Sequence, residues 1–312
     1  MQKRTINRIL LSWAILLILV ACFGRVSFAA SDAGRTAADF LTVGYGARSA
    51  GFGGAFTAVS EGAYAAYWNP AGLAQLDRKE VALSHFLWYQ DISLEQGAMA
   101  IPVSDRVGVG FAITYVNYGK IDGYDDAGVS TGDISAYDMA GGISLGYALS
   151  DRMTIGVTGK VITQKLATYS AVGFAGDFGF KYSAGRVVVA GAVSNIGSGL
   201  KFDQESEKLP SEVRLGIGVT PFGDNVLAAF EINKSFYGDF TVHQGVEVGF
   251  RDQYFVRGGV GLHPSQDGRS LGSGFSLGAG VKLGNAGIDY AFTLGDQQLS
   301  EELHRFSLAF RF

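Results

Sequence analysis

The sequence predicts an all-β chain folded as a transmembrane antiparallel β-barrel of about fourteen strands, with an N-terminal plug (hatch) in its lumen. Three observations predict it. From about Glu80 onward, short segments alternate apolar with small or polar residues at period two. The connectors between them fall into two length classes. The chain then stops on an alternating segment that ends in Phe.

Composition removes most other classes. Of the 312 residues, 47% are hydrophobic and only 17% are charged, so the chain is too apolar for a disordered segment. A net charge of -4 leaves no basic footprint for nucleic acid, and 1 Cys cannot build a disulfide framework. After the first residues no run of ~18 or more apolar residues appears, so helical spanning is not available. Lipid then leaves the closed barrel, which pairs every backbone group internally.

Residues 1–29 read as a secretory signal. Lys3, Arg4 and Arg8 precede an apolar run from Ile9 to Ala21, and Ser27 and Ala29 are small residues suited to cleavage before Ala30. Leu19-Val20-Ala21-Cys22 offers a competing reading as a lipoprotein box with Cys22 acylated. Either route takes the mature chain out of the cytoplasm, and the expected site is the bacterial outer membrane. Residues 30–78 form the expected plug and residues 79–312 the barrel.

Along the barrel, Val107, Val109, Phe111, Ile113 and Tyr115 share one face, and Gly108, Gly110, Ala112 and Thr114 share the other. The division recurs at Ile155, Val157 and Val161 against Thr154, Thr158 and Lys160, and at Phe275, Leu277, Ala279 and Val281 against Ser276, Gly280 and Lys282. A soluble sandwich would show the same alternation, and loop lengths separate the two. Short turns at Ser104-Asp105-Arg106, Ser150-Asp151-Arg152, Ser183-Ala184-Gly185, Phe222-Gly223-Asp224, Arg251-Asp252 and Gly284-Asn285 alternate with mostly longer connectors such as 119–133 and 197–211. That asymmetry belongs to transmembrane barrels with tight periplasmic turns. Trp88 and Tyr89, Tyr115 and Tyr118, Phe236 and Tyr237, and Tyr254 and Phe255 suit the two interfacial girdles.

Phe306, Leu308, Phe310 and Phe312 alternate to the last residue, and this looks like the signal read by the outer-membrane assembly machinery. The plug segment is rich in Gly and Ala, lacks period two and is too short for a core of its own, so it needs the lumen as host. Asn69 precedes Pro70 and is biased toward extended or turn backbone, while Gly72 permits a tight reversal. The stretch from Ala58 to Ala66 has room for a short helix ended by that turn.

Gly46-Ala47-Arg48-Ser49-Ala50-Gly51-Phe52-Gly53-Gly54-Ala55-Phe56-Thr57-Ala58, followed by Tyr67-Trp68-Asn69-Pro70-Ala71-Gly72-Leu73, resembles the N-terminal region of the PorV/PorQ family. That family is itself similar to the FadL long-chain fatty-acid transporters. Leu209-Pro210-Ser211-Glu212-Val213-Arg214-Leu215-Gly216 resembles the start of a mid-barrel strand in the same family. The sequence departs from the family pattern at Glu61-Gly62 and at Phe52. The resemblance implies a hatch carrying Arg48, Phe52, Glu61, Asn69, Pro70 and Gly72. It implies one of two roles: passive uptake of a hydrophobic small molecule, or, as in PorV, binding of secreted protein cargo in a type IX secretion system.

Chemistry is thinly represented, and no cofactor is implied. His85, His243, His263 and His304 lie on separate expected strands without metal-ligand spacing, and Ser84 and His85 face opposite sides of one strand. A lipid hydrolase therefore lacks a base placed for a nucleophile. Asp122, Asp125, Asp126 and Asp133 crowd one loop, either as a solvated external loop or as a divalent-cation site. Lys160, Glu231, Glu247, Arg257, Lys282, Asp289, Arg305 and Arg311 should point inward by alternation, with Arg48 and Glu61 as their partners on the plug. The expected partners are thus outer-membrane lipid, the assembly machinery and either a hydrophobic ligand or secreted cargo.

Overall fold

Lipid on one side and a plug on the other demand a wall whose backbone groups all bond within the wall, and closure supplies that. The computed structural model describes residues 36–87, 92–202, 205–264, 271–294 and 302–312. The expected signal segment with Cys22, and Trp88 and Tyr89, lie outside the described residues.

The strands are β1 (Glu80–Leu87), β2 (Ser93–Ser104), β3 (Val107–Asn117), β4 (Ile121–Tyr124), β5 (Ser130–Ile134), β6 (Ala136–Ala148), β7 (Met153–Leu166), β8 (Tyr169–Ala184) and β9 (Val187–Gly197). They continue with β10 (Leu200–Phe202), β11 (Glu205–Glu207), β12 (Glu212–Val219), β13 (Val226–Ser235), β14 (Phe240–Phe250), β15 (Tyr254–Pro264), β16 (Leu271–Leu283), β17 (Ala286–Leu294) and β18 (Glu302–Arg311). Fourteen of them form one closed antiparallel barrel in the order β1-β18-β17-β16-β15-β14-β13-β12-β9-β8-β7-β6-β3-β2. The pairs β4-β5 and β10-β11 are separate hairpins inserted in the long connectors. The seam places Glu80 opposite Arg311 and Leu87 opposite His304, and the Phe312 N–H donates to the Lys79 carbonyl at 3.0 Å.

Alternation sorts side chains as the sequence predicts. On β3, Gly108, Gly110, Thr114 and Val116 are buried, whereas Phe111, Ile113 and Tyr115 are exposed on the outer wall. The outer face carries Phe275, Leu277, Phe306, Leu308 and Phe310, all exposed and apolar, where lipid replaces water as the neighbour. The external connectors are mostly longer, as expected, with one short exception, and the expected girdle placement differs at two residues. The external β7–β8 connection is only Ala167 and Thr168, with Ala167 at φ 55°, so the external connectors are not uniformly long. Tyr118 donates to Asp138 at 2.7 Å, and Phe255 lies beneath the Arg257 guanidinium on the inner face, so neither joins a girdle. Alternation decides the second case: Tyr254 points out and its neighbour must point in.

Residues 36–78 occupy the lumen as short helical turns: Asp39–Thr42, Ala47–Gly51, Gly62–Tyr64, Ala65–Trp68 and Pro70–Gln75. The helical backbone begins at Gly62 rather than at Ala58. Gly62 itself needs φ 59°, which sets the turn just before the helix. Tyr45, Phe52, Phe56 and Leu73 are fully buried, and Phe56 packs on Phe52, Tyr64 and Trp68 with ring centroids 5.7–6.1 Å apart. Such ring pairs contribute about 0.5–1.5 kcal/mol each beyond area burial.

What lets this segment fit is the inner wall's glycine. A Cβ on Gly156 would lie 2.3 Å from the Pro70 carbonyl carbon and 2.5 Å from the Ala71 nitrogen, and one on Gly259 would lie 2.2 Å from the Gly53 nitrogen. Plug backbone thus rests directly on wall backbone. Gly156→Val should therefore lower stability by roughly 1–3 kcal/mol through overpacking, read as a lower temperature of heat-modifiable gel mobility. Gly159→Ala, three positions on and with open space around its Cβ, should leave that temperature unchanged.

Candidate functional site

The site is built where the plug meets charged residues of the wall. Arg48, on the Ala47–Gly51 turn, bridges two carboxylates: Glu247 of β14 at 3.0 Å and Glu61 of the plug at 2.8 Å. Glu247 also accepts from Arg257 Nε at 2.5 Å, and Arg257 Nη1 donates to Asp289 of β17 at 2.6 Å. The chain of contacts runs from plug to three wall strands. Enclosure disfavours charge on Glu61, but the Arg48 guanidinium outweighs it and holds the carboxyl below the usual carboxylate range. Close by, Arg311 pairs with Glu80 at 2.5 Å, and Lys181 donates to the Ser60 carbonyl at 2.8 Å.

Other wall carboxylates hold plug backbone directly. Glu231 accepts from the Thr57 N–H at 2.7 Å, and Glu80 accepts from the Ala63 N–H at 3.0 Å. Asn69 is fully buried: its Oδ1 accepts from the Ala71 N–H at 3.1 Å, and its Nδ2 donates to the carbonyls of Thr57 and Phe180, each at 3.2 Å. It therefore caps the Pro70–Gln75 turn and ties it to β8. Pro70 opens that helix. Gly72 does not make a reversal as expected. It lies within the helical turn, where a Cβ would meet the Ser60 carbonyl oxygen at 2.7 Å, so close approach is what requires glycine. Phe52 is fully buried, and its backbone rests on Gly245 and Gly259.

The plug leaves space on both faces. On the periplasmic side, Arg48, Glu61, Lys181, Glu247, Arg257 and Arg311 line a cavity of about 640 Å³. On the external side, a cavity of about 570 Å³ is bounded by Trp68 of the plug and by Arg214, Thr241, His243, His263 and Arg305 of the wall.

With this geometry, comparisons with known proteins become informative. The family model described as Type IX secretion system protein PorV matches residues 29–236. The chain belongs to the PorV family. Solved structures that share its fold include three that are each aligned over 86% of this chain and 98% of the other. They are the CymD monoaromatic hydrocarbon channel (TM-score 0.65, 13% identity), the Ralstonia pickettii toluene transporter TbuX (0.63, 15%) and the Pseudomonas putida toluene transporter TodX (0.61, 13%). The sequence matches no curated protein at a significant level. A fourteen-stranded barrel of this family, with an apolar outer wall, is a bacterial outer-membrane protein.

Most of the inward charges read from the sequence do reach the plug or line its cavities. Lys160 instead pairs with Asp177 at 2.7 Å, beside a β8–β9 bulge where Asn195 takes φ 62°. Asp177, Lys181 and the Glu212–Arg214 pair were not singled out by the sequence reading, although alternation along β8 and β12 places all four inward. The histidines divide: His85 contacts Glu95 at 2.6 Å, His304 contacts Tyr290 at 2.8 Å, and His243 and His263 share the external cavity. Asp125 accepts from the Ala127 and Val129 N–H groups as a turn residue, and Lys120 lies 3.7 and 3.3 Å from Asp122 and Asp133. Among the described residues no cluster of three or more His, Cys, Asp or Glu could hold a metal ion.

Removing Arg48 would leave Glu61 without its partner and Glu247 with Arg257 alone. Arg48→Ala should lower stability by roughly 1–3 kcal/mol and raise the single-channel conductance in planar bilayers. An unchanged conductance would confine Arg48 to a structural role.

Proposed function

We propose that the chain is an outer-membrane channel for passive uptake of hydrophobic small molecules, gated by its plug and working without a catalytic step. One observation carries this reading: the plug does not fill the lumen but leaves a ligand-sized cavity on each face, of about 570 and 640 Å³. The hydrocarbon channel and toluene transporters that share the fold lend the substrate class. A ligand would collect above the hatch, between Trp68 and the wall, and pass when the plug shifts. Arg48, Glu61 and Glu247 are the latch in this scheme, because they alternate between holding the plug and solvation in the periplasmic cavity. Phe52, Asn69, Pro70 and Gly72 keep the hatch seated on the wall.

Uptake of radiolabelled toluene into proteoliposomes checks it. The expected outcome is faster equilibration with the protein than without, and faster again with Arg48→Ala. Equal rates with and without protein would sink the uptake reading.

Family membership sustains a second reading, in which the barrel is a type IX secretion component that binds exported protein cargo. Native mass spectrometry of the protein purified from its own membrane separates the two: a retained small hydrophobe supports uptake, and a retained protein with an empty lumen supports secretion.

We further propose that Phe306, Leu308, Phe310 and Phe312 form the signal read by the outer-membrane assembly machinery. All four are about half exposed on the outer wall at the seam. Deleting Phe312 should reduce the heat-modifiable, folded fraction in the outer membrane severalfold; wild-type levels of folded barrel would refute the assignment.

A further inference from the structure

The external cavity is greasy only in part. Its floor holds two guanidiniums, each stacked on an aromatic ring: Arg214 lies 4.9 Å from the Trp68 ring and Arg305 lies 4.3 Å from the Phe86 ring. Gly44 joins the two groups, since a Cβ there would sit 2.7 Å from Trp68 and 3.9 Å from Arg305 Nη1. Arg214 Nε and Nη2 both donate to Glu212 Oε1, and its Nη1 is buried without an acceptor. Arg305 makes no ion pair among the described residues. Its Nη1 donates to the Gly44 carbonyl at 2.6 Å, and its Nε is buried without an acceptor. Of the five N–H donors of a guanidinium, the protein thus accepts from one in Arg305.

Unaccepted N–H groups of a cation are costly when buried, and a carboxylate matches a guanidinium's paired donors better than any neutral group does. The other charges facing the space do not meet this need. Glu212 is engaged by Arg214, and Asp239 stands in the β13–β14 connection, on the external side. Hydrogen-bonding side chains are set into a mostly apolar lining: Asn233, Ser235, Thr241, Ser276 and Thr293 face the space, with His243 and His263. A volume of about 570 Å³ suits one compact molecule.

We propose that the external cavity is a binding site for a compact aromatic carboxylate, its acid group drawn to the Arg305 guanidinium with the Arg214 charge beside it, and its ring against the apolar lining around Trp68 and Phe86. This rests on the uptake reading and narrows it from neutral hydrocarbons to small aromatic acids. A ring hydroxyl or similar polar substituent would meet the hydroxyl-bearing wall.

The test is calorimetric titration of the purified full chain in a non-ionic detergent with 4-hydroxybenzoate and with its neutral counterpart, 4-hydroxybenzyl alcohol. The acid should bind about tenfold or more tighter than the alcohol. Arg305→Gln should abolish that preference while Arg305→Lys retains part of it, with heat-modifiable mobility confirming that each variant folds. If Arg305→Gln does not fold, the acid-to-alcohol comparison on the unsubstituted protein still decides. Equal binding of acid and alcohol, or a preference that survives Arg305→Gln, overturns the carboxylate site; if toluene uptake persists in that case, the uptake reading stands. Binding of neither compound together with no toluene uptake overturns both.

Discussion

Contact between the plug's backbone and glycines of the inner wall is the constraint on which the rest of the structure depends. Gly146, Gly156, Gly245 and Gly259 each leave room only for hydrogen beside the backbone of the 36–78 segment. Any side chain there would hold the plug off and open a gap around it. Because the wall comes so close, Phe52, Phe56, Tyr64 and Trp68 can form one aromatic core inside the ring rather than against separate strands. The same closeness brings Glu231 and Glu80 within hydrogen-bond range of plug N–H groups that would otherwise be buried without acceptors.

The molecule inverts the arrangement of a soluble sandwich: its apolar side chains face outward, and its charges are turned in around the plug. Charges turned inward must be matched, and most are, through Arg48–Glu247–Arg257–Asp289 and Arg311–Glu80. Arg305, beneath the external cavity, has no ion pair among the described residues and bonds the Gly44 carbonyl, as Lys181 on the periplasmic side bonds that of Ser60. Arg305 ties the plug to β18 through the Gly44 carbonyl and rests on Phe86, and a carboxylate in the cavity would add the opposite charge that its desolvation calls for. Position and charge therefore point in the same direction as the two cavities do.

The barrel was legible in the sequence because period two is a local property: Phe111, Ile113 and Tyr115 need no knowledge of any partner to be placed on the outer face. The turns were legible for the same reason. The plug was legible as a guest but not in detail, because its contacts join residues far apart, as Asn69 joins Phe180 and Arg48 joins Glu247. Local propensity misplaced the helical turns and misread Gly72, whose requirement comes from the Ser60 carbonyl rather than from its own backbone angle. Alternation strictly applied would have turned Phe255 inward and drawn attention to Asp177 and Lys181. The external cavity combines residues of the plug with β1 and with β12 through β18, and nothing in their spacing along the chain announces it.

The seam carries a kinetic consequence. Glu80 pairs with Arg311, the first barrel strand with the last, and the Phe312 N–H reaches back to Lys79. The strand pairing that shuts the ring is therefore the one with the greatest separation along the chain, and loop-closure entropy opposes it until nearly every other strand pair is in place. The plug precedes β1 directly in the chain and is wrapped by the wall on all sides. The order that chain entropy favours is neighbouring strand pairs first and the β1–β18 seam last.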